Sequence, residues 1–287
     1  MSQIEVPTIV CAAHKGGSAK TTTAVNLAAE LGRAGFRVLL VDLDPQANAS
    51  MHIGKQHPSE VDVTLSRLLS DRLNSGRIDL LPSAIVENTN FENVSIIYGS
   101  IDLNLIDDEL RSKAPRPSEE LRMTLEPLKG IFDAIIIDTP PALNLLTRNG
   151  LAAATHLIIP VESGSQYSLY GMNDLLGVIA NIQRINPQLV SLGALLVKHD
   201  ERKRVCKVLV DVAERTFDRV IPVRISDSTI IEQASIEQRS AYEQDRTSKV
   251  ARDYKMLADY VIDQVGLRRP RPIKRKTAKP STVERAE

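Results

Sequence analysis

Residues 15–24 read KGGSAKTTTA and follow the apolar stretch TIVCAA (Thr8–Ala13) after the single residue His14. They nearly match the phosphate-loop pattern G-x-x-x-x-G-K-[ST], which requires glycines at positions 14 and 19. This chain has His14 and Ala19 at those positions. The stretch is therefore either an accidental match or a variant of the loop, and its surroundings decide between the two.

The surroundings of this stretch fit a phosphate-binding loop. Such a loop follows a strand and opens a helix, because it aims backbone N–H groups and a helix N-terminus at phosphate oxygens. KGGSAKTTTA lies between strand-like TIVCAA and the helical pattern TTTAVNLAAELGRAG. Lys20 is then placed to reach the β- and γ-phosphates of a nucleotide, and the Thr21 hydroxyl to bind Mg²⁺.

A site of this kind also needs a carboxylate at the end of a neighbouring strand, where it holds the water shell of the metal. FDAIIID ends in Asp138, and RVLLVDLD supplies Asp42 and Asp44. A single strand-end aspartate is commonly a cap or turn residue, and the loop match alone is weak. The loop and the two carboxylate strands together predict a nucleotide site with Mg²⁺.

Apolar runs of strand length alternate with segments of helical period along the chain. This alternation is typical of a doubly wound α/β fold, a mostly parallel sheet flanked by helices. Strands are predicted at Thr8–Ala13, Arg37–Asp44, Val94–Tyr98, Phe132–Asp138, His156–Val161, Val190–Val197 and Arg219–Val223. Helices are predicted near Thr21–Arg33, Val63–Leu73, Ser118–Lys129, Ala142–Ala154, Leu169–Ile185, Arg202–Phe217 and Lys249–Val265.

Length and charge predict one large domain and a basic tail. The chain has 287 residues, 43% of them hydrophobic, which is enough for a full α/β core. Basic and acidic residues number 36 each, but Leu267–Glu287 holds eight basic and two acidic residues, a net charge of +6. Prolines interrupt this segment, so it cannot form a regular helix. We expect a single P-loop domain over residues 1–266 and a disordered tail over residues 267–287.

The sequence also argues against several other classes of protein. No apolar run approaches the roughly 18 to 20 residues of a membrane span, and the first residues do not show the charged-then-apolar pattern of a secretory leader, so we expect neither feature. Cys11 and Cys206 are too few for a disulfide framework or a cysteine-ligated metal site. The tail has no apolar face to lie on a bilayer, so nucleic acid is the preferred partner over membrane, and a tail that only aids solubility is the open alternative. We expect a cytoplasmic protein.

Four motifs resemble those of the ParA/MinD ATPases, a family with a deviant phosphate loop, and within it the Soj-like ParA partition proteins. They are KGGSAKTTT (15–23), VDLDPQANAS (41–50), IIIDTPPAL (135–143) and PVESGSQYSLYGM (160–172). The resemblance extends from about Pro7 to Val265. In this family the first pattern glycine is routinely absent, and a signature lysine lies five residues before the invariant one. The resemblance thus accounts for His14 and matches Lys15 to the signature lysine.

The resemblance implies an ATPase that needs Mg²⁺ and forms a homodimer around ATP, with ADP favouring the monomer. Lys15 would reach the partner's phosphates, Asp44 would help to position the attacking water, and Asp138 matches the Walker B aspartate. The implied catalytic residues are Lys15, Lys20 and Asp44. The implied nucleotide contacts are Lys15, Gly16, Gly17, Ser18, Ala19, Lys20, Thr21, Thr22 and, near the base, Pro222. The implied metal residues are Thr21, Asp42 and Asp138.

Two residues depart from the pattern of the family. At Pro222 the segment reads IPV (221–223) where the family often has IPR, which weakens that assignment. Ala19 replaces the glycine that normally allows a positive φ before the loop lysine. If the conformation is kept, a Cβ there costs about 1 to 3 kcal/mol, and weaker nucleotide binding or slower turnover can follow.

DNA binding in this family depends on ATP, lacks sequence specificity and uses basic residues spread over the dimer. The segment ERKRVCKVLVDVAERTF (201–217) gathers cations at the start of a predicted helix, where they oppose the helix dipole by about 0.3 to 1 kcal/mol each. Phosphate contact is a reason for their position, and a solvated face is the open alternative. The cations are Arg202, Lys203, Arg204 and Lys207, and the predicted apolar stripe is Val205, Val208, Leu209, Val212 and Ala213. Arg224, Arg239, Arg246, Lys249 and Arg252 are further candidates.

Three functions are compatible with these motifs. The first is a nucleoid-associated partition ATPase that segregates a plasmid or chromosome with a ParB-like activator, bound to non-specific double-stranded DNA. The second is a ParA-like ATPase that positions a protein cargo, such as a microcompartment or a chemoreceptor cluster. The third is a MinD-like regulator that cycles on a membrane. It ranks lowest, because MinD relatives end in an amphipathic helix and this tail is basic and broken by prolines.

Overall fold

The computed structural model describes residues 6–164 and 171–268. These residues contain an eight-stranded sheet with the order β3-β4-β2-β5-β1-β6-β7-β8. Every neighbouring pair is parallel except β3 and β4, which are antiparallel. The predicted fold class, a doubly wound and mostly parallel sheet flanked by helices, is confirmed.

The strands are β1 (Thr8–Cys11), β2 (Val38–Asp42), β3 (Ile85–Val86), β4 (Val94–Ile97), β5 (Ala134–Asp138), β6 (His156–Glu162), β7 (Val190–His199) and β8 (Val220–Ser226). The first six helices are α1 (Lys20–Arg33), α2 (Asn48–Ile53), α3 (Leu65–Ser75), α4 (Leu81–Ala84), α5 (Leu103–Lys113) and α6 (Glu120–Leu125). The others are α7 (Leu145–Ala153), α8 (Met172–Gln183), α9 (Arg204–Thr216), α10 (Ile230–Ile236), α11 (Ala241–Gln244) and α12 (Lys249–Val265).

All seven predicted strands are present, with ends that differ by a few residues from the predicted ones. The predicted helix at Lys249–Val265 matches α12 at both ends. The first residues of the predicted helix at Leu169–Ile185, and the tail from residue 269 onward, lie outside the described residues.

The sequence analysis missed several elements, of which α5 is the longest. Its buried residues are Leu103, Ile106 and Leu110, at a spacing of three and four, while Leu105 is 63% exposed. The apolar residues therefore do not all lie on one face, and the segment resembles a loop with scattered leucines. The two-residue strand β3 and the short helices α2, α4, α10 and α11 have too few residues to show a period.

The central strands β1, β2 and β5 are buried on both faces, which explains why they are almost continuously apolar. Val10, Val41 and Ile137 face one core, which α3 and α5 to α8 cover. Ile9 and Ile136 point the opposite way, into a second core that α1 and α12 cover. Because successive side chains of a strand alternate between faces, the apolar residues of these strands divide between the two cores.

Helix α9 packs differently from its predicted orientation. Its buried residues are Cys206, Leu209 and Ala213, and Val205 and Val208 are 37% and 52% exposed. The predicted stripe correctly included Leu209 and Ala213 but was wrong at Val205 and Val208. Cys206, Leu209 and Ala213 follow one another at three and four residues, so the face centred on them packs against the sheet.

The strand order places the functional motifs side by side. β1 lies between β5 and β6, and the chain leaves β1 toward β2 on one side and later returns to β6 on the other. Ligands in open α/β sheets bind at the carboxyl ends of the strands where the order reverses in this way. The carboxyl ends of β1, β2 and β5 are therefore the expected site. Within the described part of the chain, no helix is long and apolar enough to span a membrane.

Two helix glycines allow a test of this packing. A Cβ on Gly32 in α1 would overlap the Glu92 carbonyl oxygen and lie 2.8 Å from Val94 Cγ2, whereas a Cβ on Gly177 in α8 would meet no atom within 4 Å. We expect Gly32→Ala to destabilise the fold by about 1 to 3 kcal/mol through overpacking. Gly177→Ala is the control and should stabilise it by up to about 1 kcal/mol. Chemical denaturation measures both, and a stabilising Gly32→Ala would contradict the packing of α1 on β4.

Candidate nucleotide site

The backbone between β1 and α1 forms an open cradle. Gly17 and Ala19 have φ angles of 77° and 60°, and the Ser18 hydroxyl donates to the Lys15 carbonyl oxygen at 2.9 Å. A Cβ on Gly16 or Gly17 would meet no atom within 4 Å, so the loop leaves room for a ligand to approach its backbone. No side chain caps the start of α1. Its first N–H groups are therefore available to an anion.

Ala19 is the N-cap of α1 and has left-handed backbone angles, φ 60° and ψ 31°. The sequence predicts a positive φ here if the loop keeps the phosphate-binding conformation, and the structure shows it. For a residue with a Cβ, this conformation costs roughly 1 to 2 kcal/mol. The loop thus keeps its shape despite the alanine, and the strain lies within the site.

Lys20, the first residue of α1, has its side chain inside the loop. The residue is only 6% exposed, and its ammonium donates to the Lys15 carbonyl oxygen at 3.1 Å. Burial lowers the pKa of Lys20, while the nearby charges of Asp138 and Asp44 raise it. Lys20 is therefore a buried cation aimed into the concave side of the loop, where a phosphate can pair with it.

Asp42 and Asp138 are register partners at the carboxyl ends of β2 and β5. Ser50 holds Asp42: its N–H and hydroxyl donate to Asp42 Oδ2 at 2.8 and 2.7 Å. Burial nevertheless raises the pKa of Asp42 to about 6, against the lowering effect of the Ser50 hydrogen bonds. The two carboxylates form a buried pair next to the loop.

Asp138 is fully buried, yet neither of its carboxylate oxygens accepts a hydrogen bond from the described residues. Burial raises the pKa of Asp138 well above its ordinary value, and Asp42 raises it further. The Thr21 hydroxyl, which is close to the carboxylate but does not meet hydrogen-bond geometry, and the Lys20 ammonium favour its charged form. Buried polar groups in folded proteins normally have hydrogen-bond partners, and exceptions occur at functional positions and at ion sites. Asp138 thus fits a cation or its water shell.

Asp44 follows β2 and is 6% exposed. Its Oδ1 accepts from the Gln46 N–H at 3.0 Å, while Oδ2 accepts no hydrogen bond from the described residues. Gly99, after β4, is needed for this arrangement, because a Cβ there would lie 3.0 Å from the Asp44 carbonyl oxygen and 2.9 Å from that of Asp42. Asp44 therefore has one oxygen fixed by its own turn and one that can orient a water molecule.

Lys15 lies at the outer edge of the loop. Its side chain is 33% exposed, and its ammonium is 3.3 Å from Glu162 Oε2 at the end of β6. The two loop lysines therefore differ: Lys20 is enclosed by its own loop, and Lys15 lies where a second molecule can reach it.

Thr21 and Thr22 are in the first turn of α1, and both are partly exposed. The structure thus brings the loop residues and the three aspartates together at one edge of the sheet. It does not bring Pro222 to them. Pro222 is exposed in the middle of β8, and β6 and β7 separate that strand from β1. The assignment of Pro222 to contact with the base of the bound nucleotide stays a prediction.

The residues present fit Mg²⁺ with a phosphate ligand better than a metal held by protein alone. Among the described residues, no group of three or more His, Cys, Asp or Glu is arranged to hold a metal ion. Mg²⁺ in nucleotide sites keeps several waters and uses one or two carboxylates together with phosphate oxygens. The protein ligands of such a Mg²⁺ ion can come from Asp42, Asp138 and the Thr21 hydroxyl.

The sequence analysis missed Ser50, Gly99 and Glu162 as site residues. Ser50 ends the quoted motif VDLDPQANAS, and the motif alone does not show that its hydroxyl binds back to Asp42. Gly99 follows a predicted strand, where a lone glycine suggests close backbone approach. Glu162 lies in PVESGSQYSLYGM, and only the parallel pairing of β1 with β6 brings it near Lys15.

Comparison with known proteins agrees with this geometry. A family model described as an AAA domain matches residues 6–192. The chromosome partitioning protein ParA of Myxococcus xanthus is 35% identical over 76% of this chain and 77% of its own. The sporulation initiation inhibitor protein Soj of Bacillus subtilis is 37% identical over 75% of this chain and 84% of its own.

A solved structure resembles the chain over nearly its whole length. It is cobyrinic acid a,c-diamide synthase from Mycobacterium smegmatis with bound ATP analogue and magnesium. It is 32% identical, with a TM-score of 0.75, and the match covers 92% of this chain and 98% of that one.

The fold, the phosphate loop and the three aspartates beside it together define a P-loop ATPase that uses ATP and Mg²⁺. With the partition relatives and the family model, the chain belongs to the ParA/MinD family of ATPases.

The strain at Ala19 generates a prediction that a second strained alanine in the chain shares. Ala47, the N-cap of α2, has similar left-handed angles, φ 53° and ψ 32°. Ala19→Gly and Ala47→Gly should each stabilise the fold by about 1 kcal/mol, because relief of strain exceeds the added freedom of the unfolded chain. Denaturant unfolding measures this gain, and an ATP titration checks that the loop still binds. A loss of stability or of ATP binding in Ala19→Gly would mean that the methyl group itself contributes to the site.

Proposed function

We propose that this protein is a partition ATPase. ATP joins two copies into a dimer, the dimer binds double-stranded DNA without sequence specificity, and a ParB-like activator stimulates hydrolysis so that a plasmid or chromosome is segregated. The name of the Myxococcus xanthus relative, a chromosome partitioning protein, supports this proposal. So do the two loop lysines, whose different environments suit one role within a protomer and one between protomers.

The contrast between Lys15 and Lys20 is the observation on which the proposal depends. Lys20 is 6% exposed and enclosed by its own loop. In our proposal it contacts the β- and γ-phosphates of the nucleotide in the same protomer. The side chain of Lys15 is 33% exposed at the loop edge. It would therefore contact the phosphates bound by the partner, so that ATP becomes part of the dimer interface.

The remaining loop residues would hold the phosphates through their backbone. The open cradle at Gly16, Gly17 and Ser18 and the free N-terminus of α1 at Ala19 suit this role. Thr22 continues the first turn of α1 beside these residues. Pro222 stays our candidate for contact with the base of ATP.

The polar side chains near the loop would divide the metal and water roles between them. Thr21, Asp42 and Asp138 would hold Mg²⁺, which when bound neutralises charge on the phosphoryl oxygens. Asp44 would orient the attacking water through Oδ2, the oxygen that accepts no hydrogen bond from the described residues. Positioning and charge neutralisation are the main contributions to phosphoryl transfer, so these roles are sufficient for slow hydrolysis without further groups.

The cations at the start of α9 suit contact with DNA, and the structure divides them into two pairs. Arg202 binds Asp200 with two hydrogen bonds of 2.9 Å, and Lys203 is 3.0 Å from Asp227. Among the described residues, no carboxylate lies within 4.0 Å of the cationic nitrogens of Arg204 or Lys207, and both residues are exposed. Arg204 and Lys207 are therefore the better candidates for phosphate contact.

The composition indicates what kind of DNA contact to expect. Aromatic residues make up 3% of the chain and there is no Trp. Stacking on bases is therefore a poor fit, and contact with the phosphate backbone is the better one. Such binding should not depend on the DNA sequence and should weaken steeply with salt.

We expect ATP-dependent DNA binding whose salt dependence reports the phosphate contacts. Each phosphate contact contributes about 0.9 to the slope of log K against log salt concentration. The double variant Arg204→Ala/Lys207→Ala should reduce that slope by about two for each protomer in contact. Arg202→Ala/Lys203→Ala is the matched control and should change it less, because those cations are already paired. Fluorescence anisotropy with duplexes of unrelated sequence measures the effect.

One further variant extends this titration to the basic tail. A chain ending at Arg268 separates the contribution of the basic tail from that of α9. DNA binding that is absent with ATP, or insensitive to salt and to all these changes, would contradict the partition proposal and favour the protein-cargo alternative.

A further inference from the structure

Glu162 contacts two lysines at the edge of the phosphate loop. Its Oε2 is 3.3 Å from the Lys15 ammonium, and its Oε1 is 3.6 Å from the Lys198 ammonium. Glu162 ends β6, and Lys198 is the second-last residue of β7, the parallel neighbour of β6. One carboxylate therefore bridges the loop lysine to a second cation on the next strand.

Lys198 has an unusual backbone for a strand residue. Its φ is 51°, in the left-handed region, and the pairing of β7 with β8 shifts register between Leu196 and His199. Irregularities of this kind redirect a side chain and recur next to functional sites. Here the side chain of Lys198 is 46% exposed and lies beside Glu162.

We propose that Glu162 is a positioning residue for Lys15. It holds the Lys15 ammonium within its own protomer, and Lys198 remains as its counter-ion when Lys15 moves to the phosphates of the partner. This inference rests on the proposed function, which gives Lys15 a role across the dimer.

The second cation determines how easily Lys15 leaves. The Glu162 side chain is 22% exposed, so a charge left without a partner there is incompletely solvated. Because Lys198 contacts the other carboxylate oxygen, Glu162 keeps an ion pair after Lys15 departs. Partly exposed ion pairs of this kind are weak, so the contact opposes the transfer of Lys15 only by a small free energy.

Two variants should shift dimerisation in opposite directions. Glu162→Gln removes the competing carboxylate but keeps the size of the side chain, and Lys198→Met removes the second cation, which leaves Lys15 as the sole described counter-ion. Sedimentation velocity with Mg²⁺ and a non-hydrolysable ATP analogue gives the dimer dissociation constant. We expect about two- to fivefold tighter dimerisation in Glu162→Gln and a similar weakening in Lys198→Met.

Lys15→Ala distinguishes positioning from other effects of Glu162. If Glu162 acts through Lys15, then Glu162→Gln does not improve dimerisation when Lys15→Ala is also present. If Glu162 instead repels the nucleotide directly, Glu162→Gln should strengthen the dimer in both backgrounds. If it only supports the fold, Glu162→Gln should lower the melting temperature and weaken the dimer. Either of the last two results would overturn the inference.

The same measurement separates this inference from the proposed function. If the unmodified protein stays monomeric with the analogue at every concentration, the proposed ATP dimer is wrong and the role of Glu162 is wrong with it. If the unmodified protein dimerises but Glu162→Gln and Lys198→Met leave the dissociation constant unchanged, only the inference about Glu162 is wrong.

Discussion

Charged groups buried at one edge of the sheet are the constraint on which the site depends. Lys20, Asp42 and Asp138 lie together at the carboxyl ends of β1, β2 and β5, each less than 10% exposed. Buried charges are costly unless they are paired or hydrogen-bonded. Ser50 satisfies Asp42 with two hydrogen bonds, whereas Asp138 has none from the described residues. Mg²⁺ and phosphate supply the charges that this cluster lacks, so the ligands complete a set of interactions that the fold leaves open.

The backbone around this charged cluster is strained and closely packed. Helices α1 and α2 both begin after an alanine in the left-handed conformation, Ala19 and Ala47, and neither has a side-chain cap. Gly99 lets a third segment approach the carbonyl oxygens of Asp42 and Asp44. The start of α1 has no side-chain cap, whereas the Ser50 N–H in α2 donates to Asp42 and the Gly99 N–H donates to the Ser50 hydroxyl. The structure thus accepts strain at Ala19 and uncapped donors at the start of α1, where an anionic ligand can use them.

The sequence predicted the fold class and the cluster because both depend on local signals. A strand followed by the loop, and two strands that each end in aspartate, are visible as continuous stretches, and the parallel order then brings their ends together. Even the positive φ at Ala19 follows from the position that the residue occupies in the loop pattern. The prediction that Val205 and Val208 lie on the buried face of α9 was wrong. The apolar residues of that helix extend over more than one face, and only packing decides which face is buried.

Contacts between distant segments could not be predicted in this way. The pair of Lys15 with Glu162 joins residues 147 positions apart. The link from Glu162 to Lys198 also depends on an irregular register at the end of β7. Nothing in the pattern of apolar and polar residues records such a shift. The surroundings of Lys15 are therefore less visible in the sequence than the loop and the carboxylates.

Thermal unfolding of Asp138→Asn with and without Mg²⁺ and ATP tests the central claim most directly. The substitution keeps the shape of the side chain and removes a buried charge that has no hydrogen bond from the described residues. Our account predicts that the variant without ligands melts at the same or a higher temperature than the unmodified protein. It also predicts that Mg²⁺ adds no stabilisation beyond that of ATP alone. A variant that melts lower without ligands and keeps the full stabilisation by Mg²⁺ would contradict the account.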